Sequence, residues 1–346
     1  MSHKKAQEAQ NTQGSPAPFC AFLCLFVAQS ALDPAGPLAG RIDSLTRLMV
    51  YLLSAIFIVV MIVLAIAAFR RRRQDRQNDA FIPPQHDREK RFSRTVTGSV
   101  LVTAVILFGL LVASFLVGRV IYSSPDKTNA LVIEVNAHQW WWDVRYNTSI
   151  PSQMVTTANE IHIPVGRPIV LRLGSGDVIH SFWVPNLHGK MDMIPGRTQE
   201  LSLQADRPGV YRGQCAEYCG HQHAHMALTI FAEPADQFNA WYQAQLQSAP
   251  APATESQMYG QKVFLSRPCM MCHRIQGTEA GGRVGPDLTH VASRQTIAAG
   301  TLHNTREHLA QWIVNSQSVK PGNRMPAIPV TGNDLNALLD YVQSLK

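Results

Sequence analysis

The 346-residue sequence predicts a membrane protein in three parts: a two-helix transmembrane hairpin, an all-β Greek-key sandwich and a small all-α module. Three observations predict it. Two uncharged, apolar runs of 22 residues, 48–69 and 96–117, lie in the N-terminal third. Short β-branched and aromatic segments separated by Gly, Pro and Asp turns fill 128–235. After a Pro/Ala stretch, apolar residues recur at helical spacing.

In chain order, Lys4 and Lys5 precede the apolar run FCAFLCLFVA, Phe19–Ala28, and small residues follow. That is the layout of a signal peptide cleaved near Ala28–Ala31, so 1–30, with Cys20 and Cys24, is expected to be a leader. Residues 31–122 form the hairpin. At about 1.5 Å per residue each apolar run crosses a hydrocarbon layer of about 30 Å. A pair of buried core helices is the alternative, but uncharged runs of this length are uncommon in soluble domains.

The net charge of +7 is local, because residues 47–122 carry 11 Lys and Arg against 4 Asp and Glu. Residues 1–46 balance, 123–244 come to −3 and 245–346 to +3. The excess therefore belongs to the membrane segment and its lipid, and predicts no nucleic-acid partner. Most of it lies between the spans, at Arg70–Arg73, Arg76, Arg88, Lys90, Arg91 and Arg94. Short basic loops stay cytoplasmic, so both termini and everything after 122 are expected on the outer side.

Residues 123–244 hold the sandwich segments LVIEVNAHQWWW, EIHIPVGRPIVLRLG, QELSLQ, GVYRG and MALTIFAE. Residues 245–254 are a Pro/Ala linker, and the stretch QSAPAPATES, 247–256, reads as a semi-stiff extended tether. From 255 to 346 the pattern is helical: Leu309, Trp312 and Ile313 mark one helix, and Leu335, Leu338, Leu339 and Val342 another behind a Thr331–Asp334 cap. The opposite charges of the two outer modules predict that they dock, and that salt weakens the docking.

Outside the leader the chain has four cysteines, Cys215, Cys219, Cys269 and Cys272, enough for two disulfides in an oxidising compartment. Their neighbours argue for cofactors. In CMMCH, Cys269 and Cys272 have the spacing that attaches a haem c through two thioether bonds, with His273 placed to reach the iron. Met325, in NRMPAIP, supplies a sixth ligand, and a His/Met pair raises haem potential. Met258, Met270 and Met271 are expected to pack. The segment 255–346 resembles class I cytochrome c. The loop CAEYCGHQHAHM, 215–226, joins two strands, and a Cys, His and Met there with a distant His is the pattern of a cupredoxin copper site. His180, in GDVIHSFWVP, is the distant candidate. A second thiolate four residues on lets both sulfurs bridge two copper ions.

Over 31–235, DVIHSFWVP, KMDMIPGR, GQCAEYCGHQH and HQWWWDVRY resemble the signature segments of cytochrome c oxidase subunit II. With the fused cytochrome c, the resemblance points to caa-type bacterial haem-copper oxidases. It implies a cupredoxin fold holding a dinuclear copper A centre on His180, Cys215, Cys219, His223 and Met226, with the Glu217 carbonyl as a further donor and its carboxylate facing a Mg site shared with subunit I. Trp140 takes the place of the exposed tryptophan through which electrons reach the copper; sandwich core is its alternative. His221 and His225 are expected to be solvated or to support the ligands, and His138, His162 and His188 to be structural or surface residues. Asp192 and Arg197 match the segment bordering subunit I; an ordinary surface pair is their alternative. The resemblance further implies a bacterial inner-membrane location, subunits I and III as partners, and an external donor such as a c-type cytochrome. Electrons would pass from the haem to the copper and on to subunit I, where oxygen becomes water. One departure from the family stands out: VTGSVLV, opening the second span, has no carboxylate, and Glu89 falls upstream in the basic loop. The rival readings are a quinol oxidase subunit, which lacks copper ligands; nitrous oxide reductase, which needs a far larger chain; and a stand-alone membrane-anchored electron-transfer protein.

Overall fold

The structure, a computed structural model, describes residues 31–74, 86–122, 129–148 and 150–346. The expected leader, 1–30, and residues 75–85 of the basic loop lie outside them. Helix α1 spans Pro37–Gln74 and α2 His86–Tyr122. Both are long and apolar enough to cross a membrane. Side chains such as Phe57, Val63, Val105 and Leu111 are exposed along them, so a non-aqueous surround must cover their apolar surface. Glu89 is not in the loop, as the sequence suggests. Helix α2 already begins at His86, upstream of the apolar run 96–117, which puts Asp87 and Glu89 in its first turn, where the helix dipole favours acids.

The sandwich comprises β1 (Leu131–His138), β2 (Trp141–Tyr146), β3 (Val155–Ala158), β4 (Glu160–Pro164), β5 (Ile169–Ser175), β6 (His180–Trp183), β7 (Met191–Met193), β8 (Gln199–Leu203), β9 (Gly209–Cys215) and β10 (Ala227–Glu233). One sheet runs β3-β2-β1-β5-β8 and the other β4-β10-β9-β6-β7. Pairing is antiparallel except for β1 with β5 and β4 with β10. Alternation along β1 buries Ile133, Val135 and Ala137, which share a core with Trp142, Ile161, Phe182 and Ile230 from both sheets.

Two apolar stretches break where a single strand each was expected. The run through HQWWW reverses at Gln139–Trp140, where the Gln139 amide donates to Asp177 Oδ2 at 2.7 Å. The other breaks at Gly166, whose φ of 76° suits glycine. After β10, α3 (Ala235–Gln245) is a helix the sequence did not announce. Its Trp241 stacks on His162 with ring centroids 4.0 Å apart, and Tyr242 meets Tyr146 edge-on.

The C-terminal module contains α4 (Glu255–Ser266), α5 (Cys269–Cys272), α6 (Arg306–Val314), α7 (Ser316–Val319) and α8 (Gly332–Ser344). Its core gathers Phe264, Ile275, Leu309, Ile313, Leu338 and Val342. Thr331 sits at the α8 N-cap but makes no side-chain cap bond. Asp334 is taken elsewhere, accepting from Tyr259 Oη at 2.6 Å and Arg267 at 2.8 Å. Met270 packs on the core as expected, but Met258 and Met271 are exposed on the outer faces of α4 and α5. The tether is laid on this module: Ala249 N donates to Gln276 O at 3.1 Å, and the His290 ring lies 3.0 Å from Gln247 O.

Candidate copper and haem sites

Strands β9 and β10 are paired neighbours, and Cys215 N donates to Met226 O at 3.0 Å, closing the base of the loop 215–226. Strand β6 flanks β9 on the other side and brings in His180, which lies 35 residues before Cys215. Cys215 Sγ then lies 3.7 Å from Cys219 Sγ, 3.8 Å from His180 Nδ1 and 3.2 Å from Glu217 O. Cys219 Sγ lies 3.6 Å from His223 Nδ1 and 3.9 Å from Met226 Sδ. His180, Cys215, Cys219 and Met226 are buried, whereas His223 is half-buried against Tyr218.

Asp177 orients the histidine. Its ionised carboxylate only accepts, so His180 Nε2 carries the proton it donates over 2.9 Å to Asp177 Oδ1, leaving Nδ1 as a free donor atom toward the cysteines. Burial opposes this charge, but bonds from His180 and from the Gln139 and Val178 amides hold Asp177 down at about 2. Against the same burial, Asp177 and Cys215 raise the His180 pKa. The sequence hid Asp177, although an acid three residues before a ligand histidine is a usable signal.

Hydrogen bonding to Cys219, with His180 assisting, lowers the Cys215 pKa, and the same bond pushes Cys219 up. The two sulfurs thus share one proton, and positive charge between them is what allows both to ionise. Metal–thiolate bonds of about 2.3 Å from both sulfurs reach common positions. The donor set, two thiolates with two imidazoles and a thioether, therefore fits a bridged metal pair. His221 and His225 are exposed, and His225 bonds Gln222 at 2.8 Å. His162 pairs with Glu233 at 3.0 Å in the sandwich, and His188 is buried near Gly189 O.

The second site is a cavity of about 1490 Å³, open mouth included, whose walls include Phe264, Leu309, Ile313, Leu338 and Val342. Cys269, Cys272, His273 and Met325 all line it. Neither cysteine is in a disulfide. His273 Nδ1 donates to Pro286 O at 2.7 Å, which leaves Nε2 as the free donor atom. Desolvation lowers the His273 pKa and keeps the ring neutral. The Met325 carbonyl accepts from Ser316 Oγ at 2.6 Å and Gln317 Nε2 at 2.8 Å, which fixes its loop. An apolar pocket with paired thiols, a neutral imidazole and a thioether fits a covalently held haem.

Trp140 is not exposed; it is 7% accessible and lines the haem cavity. Its Nε1 donates to Cys219 O at 3.1 Å, so one indole touches both sites. The C-terminal module covers it. Lys320 Nζ donates to Trp140 O at 2.9 Å, Gln222 Nε2 to Pro321 O at 2.9 Å, and Ala227 N to Ala299 O at 3.0 Å. From the sandwich, Glu160 Oε1 accepts from Gln295 N at 2.8 Å and Thr296 N at 3.1 Å. Arg324 and Asp177 add an ion pair at 3.7 Å.

Residues 147–232 match the family described as cytochrome c oxidase subunit II, periplasmic domain, and residues 257–346 match cytochrome c. Cytochrome c oxidase subunit 2 of Alkalihalophilus pseudofirmus is 35% identical over 92% of this chain and 91% of its own length. That of Bacillus subtilis is 27% identical over 92% of each. Among solved structures, the periplasmic domain of subunit II of cytochrome oxidase of Bradyrhizobium japonicum is 28% identical, covering 34% of this chain and 94% of that one, with a TM-score of 0.32. The chain, with its two apolar helices, cupredoxin-like sandwich and cytochrome c region, belongs to the cytochrome c oxidase subunit II family, a component of the haem-copper oxidase complex.

Proposed function

We propose that this chain takes electrons from an external carrier at its C-terminal module and passes them through its copper loop to subunit I, where oxygen is reduced to water. The observation that carries it is the position of Trp140, whose indole lines the haem cavity and bonds the carbonyl of Cys219. When bound, a haem c and a copper pair supply reversible one-electron chemistry. The protein's part is to hold their ligands and keep the space between them dry and packed. Cys269 and Cys272 would anchor the haem, and His273 and Met325 would supply its iron ligands. His180, Cys215, Cys219, His223, Met226 and the Glu217 carbonyl hold two copper ions. The Glu217 carboxylate, half-buried and accepting from Tyr218 N at 3.2 Å, would contribute to a Mg site shared with subunit I. Because Lys320 and its neighbours cover Trp140, its donor is the chain's own haem rather than a docked carrier.

The domains follow as a leader at 1–30, a hairpin at 31–122, the copper module at 123–244, a linker at 245–254 and the haem module at 255–346. The basic loop of the hairpin puts both redox modules on the periplasmic side of the bacterial inner membrane. Partners are subunits I and III and a c-type cytochrome donor. Metal analysis of this chain, separated from the large polytopic subunit with which it should come out of the membrane, should return two coppers per covalently attached haem iron. A one-to-one ratio, or a solitary chain, overturns the reading.

A further inference from the structure

The deepest charge at the seam between the redox modules is Lys320, which belongs to the haem module and is 2% exposed. Its ammonium donates to three backbone carbonyls: Trp140 O at 2.9 Å, His225 O at 2.8 Å and Ala298 O at 3.1 Å. An ammonium has three N–H donors, and each finds an acceptor. Two acceptors belong to the sandwich, one on the turn that carries the relay indole and one on the copper loop. The third belongs to the haem module itself. Among the described residues no carboxylate pairs with the ammonium. Burial pulls it down to about 7, with Cys219 pulling the other way.

Resting on the relay reading above, we infer that Lys320 is a positioning residue for electron passage. Its ammonium clamps the Trp140 peptide and the copper loop onto the haem module, and so fixes the one docked pose in which the indole spans both sites.

Lys320 lines the haem cavity together with Trp140 and Met325, so it touches the haem pocket, the relay residue and the copper loop at once. Two residues on, a Cβ at Gly322 would stand 3.9 Å from Cη2 of Trp140, so the same segment lies beside the edge of the indole. Stability works in both directions here, because the ammonium is desolvated with no carboxylate beside it among the described residues, while an apolar replacement would leave its carbonyls unpartnered. What the ammonium adds is direction, since three fixed acceptors define one register and a methyl or thioether defines none. Glu160 mirrors it from the sandwich side of the same seam, accepting the amides of Gln295 and Thr296. With a charge buried from each partner, sliding of one module on the other strands a desolvated ion.

The test uses the full-length chain loaded with haem and copper in detergent. One electron is injected into the haem by a flash-activated ruthenium complex, and its arrival at copper is timed in buffer and in glycerol. Wild-type transfer should be independent of viscosity. Lys320→Met should slow it by about tenfold or more and make it fall with viscosity, because the pose must be found before transfer occurs. Its copper paramagnetic resonance and haem absorption should stay those of wild type. Lys320→Arg, which keeps the charge but not the three-pronged head, should lie between and serves if the Met variant does not accumulate. Wild-type rate and viscosity independence in both variants overturn the inference while leaving the relay intact. An altered copper spectrum also overturns it, since Lys320 would then support the metal site. No haem-to-copper transfer in wild type overturns the relay reading itself, and this inference with it.

Discussion

The Trp140 indole N–H donates to the carbonyl of Cys219 at 3.1 Å, and a Cβ on Gly220 would stand 3.0 Å from the same indole. The ring is thus gripped by the copper loop rather than resting on it. Trp140→Phe keeps an aromatic ring but loses the donor and the outer ring atoms. Haem-to-copper transfer should slow by about tenfold or more, because a small misplacement of a relay carries a large penalty in rate. Copper content should stay at wild-type level, since none of the donor atoms moves. Flash-injection kinetics on the loaded chain measure this, and an unchanged rate would remove Trp140 from the path.

The opposite net charges of the two modules, −3 and +3, predict docking that salt weakens. The seam is built differently. Lys320 binds carbonyls, Glu160 binds amides, and among the described residues the one ion pair across it is Arg324 with Asp177 at 3.7 Å, with Arg324 largely exposed. Exposed pairs contribute little and are screened, whereas buried bonds to the backbone are not. Transfer between the two centres should therefore change by less than about twofold between low and high ionic strength. A steep fall with salt would restore the charge-driven picture.

Glu160 gives the seam a pH dependence with a definite sign. Burial raises its pKa, and the amides of Thr296 and Gln295 only partly offset that. Below the ordinary carboxylate range both folded and unfolded chains hold the proton. As pH rises above that range the unfolded chain loses its proton first, so the contribution to stability declines with pH until the folded group ionises too. Glu160→Gln keeps an oxygen for both amides and should remove this slope without loss at neutral pH. Glu160→Leu leaves two amides unpartnered and should cost about 1–3 kcal/mol for each. Thermal unfolding of the outer modules across mildly acid to neutral pH distinguishes the two variants.

The candidate ligands are legible because their chemistry is local: CMMCH and CAEYCGHQHAHM each put their donors within a few residues, and a turn or a hairpin base is enough to assemble them. His180 is legible through its own segment, GDVIHSFWVP. What stays hidden depends on distant parts of the chain meeting. Lys320 reaches Trp140 across 180 residues, and Glu160 meets Gln295 across 135. In the sequence each is an ordinary surface charge. Helix α3 is hidden for a related reason: ADQFNAWYQAQ has no aliphatic side chain larger than alanine, and its stability comes from Phe238, Trp241 and Tyr242 packing on the sandwich. Composition records the charge of each module but not where those charges are spent, which is why charge alone does not show which residues join the modules.

Gly285 supplies a test of the haem pocket that spares every ligand. A Cβ there would stand 2.7 Å from Cε1 and 3.0 Å from Nδ1 of His273. The backbone has little freedom to yield, since Gly285 N donates to Cys272 O at 2.8 Å and the next residue, Pro286, accepts from His273 Nδ1. In Gly285→Ala the ring must therefore turn and give up the bond that orients it. Both thiols remain, so haem should still attach and survive denaturation on a gel. Its axial ligation should weaken, read as a changed absorption spectrum and easier binding of an external ligand such as imidazole. Gly281→Ala is the control, because nothing lies within 4 Å of a Cβ placed there. A Gly285→Ala spectrum identical to that of Gly281→Ala would mean that the His273 ring is free to move, and that the Pro286 carbonyl does not set the direction of Nε2.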